Sequence, residues 1–408
     1  MRRVVVTGMG SVCALGEDWS SIEKGLRSGR NAVRVMPEWE AYKDLKTRLA
    51  APVSNFKIPE RWTRKQSRSM GRVSQFAVRA SELALEDAGL LDDPILRSGR
   101  VGVACGSSTG STPDISDFAR MVLMGDASKL NANSYVRMMP HTTGANVGIF
   151  FGLRGRIIPT STACTSGSQG VGFAFEAIRH GLQDVMLGGG AEELCPTEAM
   201  AFDMLYATSC CNGNPHLSPR PYDQDRDGLV IGEGGAMLVL EEFEHARARG
   251  ARIHAELLGF ATNSDGTHVT RPNEETQRIV IQMALASAGL DASMIGYVNG
   301  HGTATQHGDI TETRATASVF GSRVPISSQK SYLGHTLGAC GALESIFTIE
   351  MMRAGWFAPT LNLSNVDPNC GELDYIVGDG RRMDIEYAVN NNFAFGGVNT
   401  ALIFRRWP

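Results

Sequence analysis

The chain has 408 residues, 46 of them glycine, and a formal net charge of −4. That length supports two or three domains or one large duplicated one, and the slight acidity excludes a general nucleic-acid binder, which needs a broad basic surface. No apolar run approaches the roughly 20 residues of a membrane span, and the apolar run in MRRVVVTGMG is too short for a signal peptide.

In chain order, RRVVVTG (2–8) predicts a first strand, FAVRASELALEDAGL (76–90) a helix and RVGVACG (100–106) a second strand. VGFAFEAIRHG (171–181) is helical, with DVMLGGG (184–190) and GAMLVLEE (235–242) extended after it. RIHAELLGFA (252–261) is a strand, TQRIVIQMALASAGL (276–290) a helix and GYVNGHG (296–302) a strand. VPISSQK (324–330) is extended and GALESIFTIEMMRAG (341–355) helical, and AVNNNFAFGG (388–397) and NTALIFRR (399–406) close the chain as strands. This alternation predicts an α/β protein with buried, partly parallel sheets. An internal echo divides it. A helix ending in Ala-Gly-Leu, then a strand, then a Gly/Ser/Thr loop occurs twice, and IIPTSTACTSG matches VPISSQKSYLGHTLGACG. Two related halves, 1–250 and 251–408, are expected, with the Cys164 turn of one corresponding to the His335 region of the other.

Eight cysteines stand at 13, 105, 164, 195, 210, 211, 340 and 370 with no C-x-x-C pair. That pattern is neither a disulfide framework nor a zinc site, and it suits a reducing cytosol. Cys164 differs from the rest. It sits among small residues in TSTACTSGSQG, where a strand hands over to a helix. A helix N-terminus favours the thiolate and lowers its pKa; the plainer alternative is a small buried hydrophobe.

Two histidines stand in comparable places. His301 lies between glycines in NGHGTAT, beside Thr303 and Thr305, and His335 lies in KSYLGHTLGACGALE with Lys330 before it and Glu344 after it. One cysteine and two such histidines suit acyl transfer, a nucleophile with two donors for a developing oxyanion. His141, His180, His216, His245, His254 and His268 read as structural or surface residues.

Other motifs carry less. GSSTG around Ser108 fits a hydrolase nucleophile elbow, but Pro113 and Asp114 follow closely and a structural loop is the better reading. DQDRDG (Asp223, Asp225, Asp227) opens like a calcium loop, yet Gly234 stands where the bidentate Glu belongs. GMGSVC has Cys13 in place of the third glycine of a dinucleotide fingerprint.

Taken together, TACTSGS, RPYDQDRDGLVIGEGG, NGHGTAT, KSYLGHTLGACGALE and NNFAFGGVN resemble the β-ketoacyl-acyl-carrier-protein synthases, the elongating branch of the condensing enzymes. The motifs run in the family's order over essentially the whole chain. The resemblance implies a thiolase-type fold, two related halves in a layered αβαβα core, and a homodimer or a heterodimer with a related ketosynthase-like subunit. It implies that Cys164 carries the acyl chain and that His301 and His335 bind the malonyl thioester carbonyl. Lys330, Glu344, Thr303 and Thr305 take supporting roles, and the N–H groups of Cys164 and Phe395 form the oxyanion hole. Phe393, Ala394 and Phe395 match the gate over the acyl pocket, where many relatives have glycine at the alanine. No cofactor or metal is implied.

The implied partners are an acyl-carrier protein and its malonyl and acyl thioesters, in the cytoplasm. RWTRKQSRSMGR coincides with the family's carrier-docking region. Read as one helix, it places Arg61, Arg64 or Lys65, Arg68 and Arg72 on one face, and Arg64, Lys65 and Arg68 are the expected contacts for an acidic carrier. MPHTTG, TACTSGSQG and NNFAFGG together look like the ketosynthases of aryl-polyene clusters. The alternatives are a serine hydrolase using Ser108 and the catalytic subunit of a ketosynthase/chain-length-factor pair.

Overall fold

Successive residues of the strands enter different parts of the core. Met186, Leu238 and Leu240 pack in one cluster, while Leu187, Met237 and Val239 pack in another. Strands buried on both faces need helices on both. The computed structural model describes residues Met1–Pro408 and supplies them.

Eleven strands form one mixed sheet. In the first half they are β1 (Val4–Cys13), β2 (Val101–Gly106), β3 (Ile157–Ile158), β4 (Val185–Glu192) and β5 (Gly234–Glu242). The second half supplies β6 (Ala255–Ser264), β7 (Ile295–Asn299), β8 (Pro325–Ser327), β9 (Asp374–Tyr375), β10 (Tyr387–Phe393) and β11 (Val398–Arg406). Their spatial order is β9-β8-β7-β10-β11-β6-β1-β5-β4-β2-β3. β5 is antiparallel to β1 and β4, and β4, β2 and β3 run parallel. β11 is likewise antiparallel to β6 and β10, and β10, β7 and β8 run parallel. The second set repeats the order and directions of the first, with β9 added at its outer edge. They join where Val4–Val6 pair with Ala255–Leu257.

Seven helices position the site: α1 (Arg72–Asp87), α2 (Thr142–Phe151), α3 (Ser166–Arg179), α4 (Pro196–Asp203), α5 (Glu274–Ala288), α6 (Gln306–Phe320) and α7 (Cys340–Ala354). α1 and α2 cover one outer face, packing Phe76, Ala80 and Val147 on Val103, Leu187 and Val239. α5 covers the other, packing Val280, Ile281 and Ala284 on Val298, Val389 and Ile403. Between the two sets of strands lie α3 and α7, whose Phe175 and Phe347 share a core with Met186, Leu402 and Phe404. The layers are α, β, α, β, α. Residues 340–349 of α7 are all buried, so this helix has no polar stripe along that length. Burying Phe347 alone contributes about 1.5–3 kcal/mol. No helix is long and apolar enough to cross a membrane.

Close approach of the layers depends on missing side chains. A Cβ at Gly8 would sit 2.2 Å from the Ala84 carbonyl oxygen, so the glycines of GMGSVC serve the seating of β1 on α1. A Cβ on Gly190 would sit 2.2 Å from the carbonyl oxygen of Gly338, in the turn before α7.

Two expectations are corrected. The extended stretch at 324–330 ends at Ser327, because Lys330–Leu333 turns helical. The basic run is not one helix. Thr63 and Gln66 form a capping box that starts a single turn at Arg64–Ser67, and α1 begins afresh after Gly71. Arg61 pairs with Glu82 and Arg72 with Glu233, each at 2.7 Å. Arg64, Lys65 and Arg68 stay exposed.

Candidate active site

The repeat of the strands brings two similar turns together. After β3, Ala163–Thr165 form a 3-10 turn leading into α3; after β8, Leu337–Ala339 form one leading into α7. Ala163 and Leu337 open these turns with φ of 51° and 42°. Left-handed backbone at an L-residue costs roughly 1–2 kcal/mol, and both halves accept it at the same place. Cys164 follows Ala163 directly, and its carbonyl oxygen accepts the Cys340 thiol proton across 3.2 Å.

His301 stands just past β7, in a loop held by α6. Glu312 accepts the N–H groups of His301 and Gly302, and Asp309 accepts those of Thr303 and Ala304 at 3.0 and 3.1 Å. Asp309 also accepts the Tyr222 N–H. The buried Arg226 binds the carbonyl oxygens of Thr305 and Gln306 and pairs with Asp367 at 2.8 Å. The segment that opens like a calcium loop is thus a staple: Asp223 accepts the N–H groups of Asp225, Ser364 and Asn365.

The Cys164 sulfur and one ring nitrogen each of His301 and His335 all lie within 4.8 Å of one another. The two imidazoles stand edge to face, centroids 5.2 Å apart. All three residues are buried and line a cavity of about 320 Å³, with Thr303, Thr305 and Phe393 also on its wall. Thr303 and Thr305 hydrogen-bond each other at 2.9 Å. His268, read as a structural or surface residue, also lines this cavity, as does His307.

Hydrogen bonds fix the tautomers. Nδ1 of His335 accepts the Leu337 N–H at 3.3 Å, while its buried Nε2 has no protein partner. Nδ1 of His301 faces the Asn392 amide nitrogen at 3.4 Å. An amide nitrogen can only donate, so both rings carry their proton on Nε2. Burial, then the charge of Lys330, holds both histidines well below the usual histidine range. They are neutral donors.

The thiol departs from expectation. Burial pushes Cys164 up to about 11, against the opposing pull of the Phe395 N–H, the Lys330 charge and its own N–H. The helix terminus was expected to lower this pKa; loss of water outweighs it. The N–H groups of Phe395 and Cys164 favour the thiolate but do not offset that loss.

Lys330 and Glu344 form a buried pair at 2.5 Å. Burial opposes the ammonium charge, but Glu344 outweighs it and the Lys330 pKa lies above its ordinary value. Asn392 donates to the second Glu344 oxygen at 2.7 Å. The hydrogen bonds therefore run from Lys330 through Glu344 and Asn392 to His301, and His335 feels Lys330 only as charge. Asn392, Asp309, Glu312, Arg226 and Cys340 are the residues sequence reasoning missed. Phe395 stacks on Phe202 at 4.9 Å, and the Ala394 N–H is tied to the Val398 carbonyl at 2.8 Å. Ser108 donates its hydroxyl proton to Glu192 and has no imidazole partner.

A turn-borne thiol beside two neutral imidazoles has the nucleophile and the donors that acyl-thioester formation and enolate stabilisation need. The comparisons agree. Residues 1–246 match the family Beta-ketoacyl synthase, N-terminal domain, and residues 254–364 match Beta-ketoacyl synthase, C-terminal domain. A 3-oxoacyl-[acyl-carrier-protein] synthase 2 of Vibrio cholerae is 37% identical over 413 residues, with 99% of each chain covered. A crystal structure of a beta-ketoacyl synthase from Burkholderia phymatum superposes with a TM-score of 0.99 at 59% identity, covering all of both chains. A type II polyketide-synthase acyl-carrier protein in complex with its hexaketide-bound ketosynthase gives 0.88 at 30% identity, again over all of both chains. The chain belongs to the beta-ketoacyl synthase family.

Proposed function

We infer that the protein condenses an acyl chain with malonyl-acyl-carrier protein, releasing CO2 and 3-oxoacyl-carrier protein. Cys164 sulfur attacks the incoming thioester; the carrier thiol leaves with the proton that Cys164 gives up. The N–H groups of Cys164 and Phe395 hold the oxyanion. Malonyl thioester then loses CO2, and the electron pair of the broken C–C bond moves onto its carbonyl oxygen. Nε2–H of His301 and of His335 meet that charge without protonating carbon. The enolate carbon attacks the Cys164 acyl carbonyl, the C–S bond breaks, and the thiol is restored on proton uptake. The convergence of the Cys164 sulfur with one ring nitrogen of each of two neutral histidines, all within 4.8 Å, carries this reading.

The carrier protein is assigned to Arg64, Lys65 and Arg68, whose exposed, unpaired cations suit an acidic surface. A second chain of this fold, a copy or a related subunit, is assigned to the edge strand β3. Ile157 there and the neighbouring Ile149 are exposed, as are Val122, Leu123 and Met124. The division into halves 1–250 and 251–408 follows the repeat of strand pairing. Eight unpaired cysteines suit the cytoplasm. The aryl-polyene branch is favoured by sequence motifs alone, and an acyl-chain panel tests it.

The decisive assay offers acyl-carrier and malonyl-carrier proteins and measures CO2 together with the 3-oxo product. Substituting His335→Ala is expected to lower turnover by about 10²–10³-fold. Release of free acid without a new C–C bond, with Ser108 acylated, would overturn the reading in favour of hydrolysis.

A further inference from the structure

Past Phe202 the wall beside the cavity changes character. α4 buries Glu198, Ala199 and Phe202. Ala199 and Phe202 belong to the apolar cluster that contains Cys164 and Leu337, and Phe202 lines the cavity. Glu198 precedes Phe202 by four residues, so it occupies the same helix face one turn further along. It is only 4% exposed. Its Oε1 accepts the Thr109 hydroxyl proton at 2.8 Å; its Oε2 has no partner at all.

Burial, then repulsion from Glu192, holds the Glu198 carboxyl well above the usual carboxylate range. Glu192 is itself engaged, accepting N–H groups from Ser108 and Gly338 at 2.8 and 3.0 Å. Glu198 thus presents a buried carboxyl group with one oxygen satisfied and the other bare. Buried polar atoms are almost always paired, and an exception asks for a missing partner.

We propose that Glu198 is a specificity-determining residue: the acyl chain on Cys164 runs past Phe202 and ends in a hydroxyl, alcoholic or phenolic, that pairs with the bare Glu198 oxygen. A hydroxyl can both donate and accept, so it can pair with that bare oxygen. A plain alkyl end would leave Oε2 unpaired in the chain-bound enzyme, which is the situation that lets a polar site reject an apolar analogue. The inference rests on the condensation reading above.

The test compares kcat/KM for acyl-carrier thioesters of matched length that differ only in a terminal hydroxyl, for native protein, Glu198→Gln and Glu198→Leu. Acetyl-carrier, too short to pass Phe202, serves as the control. The native protein should prefer the hydroxylated chain by at least about tenfold. Glu198→Gln should keep most of that preference and Glu198→Leu should reverse it, with acetyl turnover unchanged in both. Should Glu198→Leu fail to fold, the native preference and its behaviour in Glu198→Gln and Thr109→Val decide, the last expected to weaken it. Equal use of the two chain ends by native protein that turns over acetyl-carrier overturns the proposal and leaves the condensation reading intact. An unaltered preference in Glu198→Leu, with loss of self-association, also overturns it by assigning Oε2 to a partner chain. Absence of any acyl transfer to Cys164 overturns both.

Discussion

Asn392 presents its amide nitrogen to Nδ1 of His301 at 3.4 Å and to Glu344 at 2.7 Å, joining the buried Lys330 pair to one of the two imidazoles. The amide leaves His301 no choice of tautomer. Asn392→Asp exchanges the donor for an acceptor, which draws the imidazole proton to Nδ1 and removes it from the cavity. Decarboxylation of malonyl-carrier should fall by about 100-fold or more, with acyl transfer to Cys164 much less affected. Separate measurement of CO2 release and of acyl loading checks the split.

Lys330 and Glu344 are both buried, and each depends on the other. Lys330→Met strands a carboxylate in the core and should cost roughly 3–5 kcal/mol in urea unfolding. Lys330→Met with Glu344→Leu should recover most of that stability while turnover stays lost. Equal stability of the single and double variants would contradict the pairing.

Ala163 carries a left-handed φ of 51° one residue before the nucleophile. Glycine at this position relieves the strain and should raise stability by up to about 1 kcal/mol. Valine, stiff at Cβ, should lower it by more than that and slow acyl loading. Thermal melting and a loading time course read the two effects.

Burial pushes Cys164 up to about 11. Below that value the thiolate fraction grows about tenfold per pH unit, so alkylation should rise with near-unit slope between about pH 7 and about pH 9. A rate already flat at pH 7 would contradict a protonated resting thiol. Both histidines titrate well below their usual range, so malonyl decarboxylation should show no acid limb near about pH 6.5.

Reversing Arg64, Lys65 and Arg68 to Glu should raise KM for acyl-carrier substrates several-fold, weaken the salt dependence of that KM and leave Cys164 alkylation unchanged. An unaltered KM would remove the docking surface.

Cys164, His301 and His335 are legible because small residues and glycines punctuate their turns, and the internal echo pairs the two turns within the sequence itself. The support beneath them was not. α6 buries Asp309, Glu312, Thr313 and Thr316, so its inward face shows no apolar period. Strand alternation puts Asn390 and Asn392 on one face of β10, but only tertiary packing sends Asn390 to Gly341 and Asn392 to His301. The basic run read as one helix because its charges recur at helical spacing. The signal against this was present in Thr63 and Gln66, three residues apart as a capping box requires. The thiol differs from the sequence expectation for another reason: a helix end is visible in sequence, whereas the depth at which it lies is not.

The central claim is tested most directly by intact-mass analysis with peptide mapping, first with an acyl-carrier thioester and then with malonyl-carrier. A mass gain of the acyl group on Cys164, discharged as the 3-oxoacyl-carrier product when malonyl-carrier is added, is the predicted result. An acyl group found on another residue, or one on Cys164 that malonyl-carrier does not discharge, would contradict it.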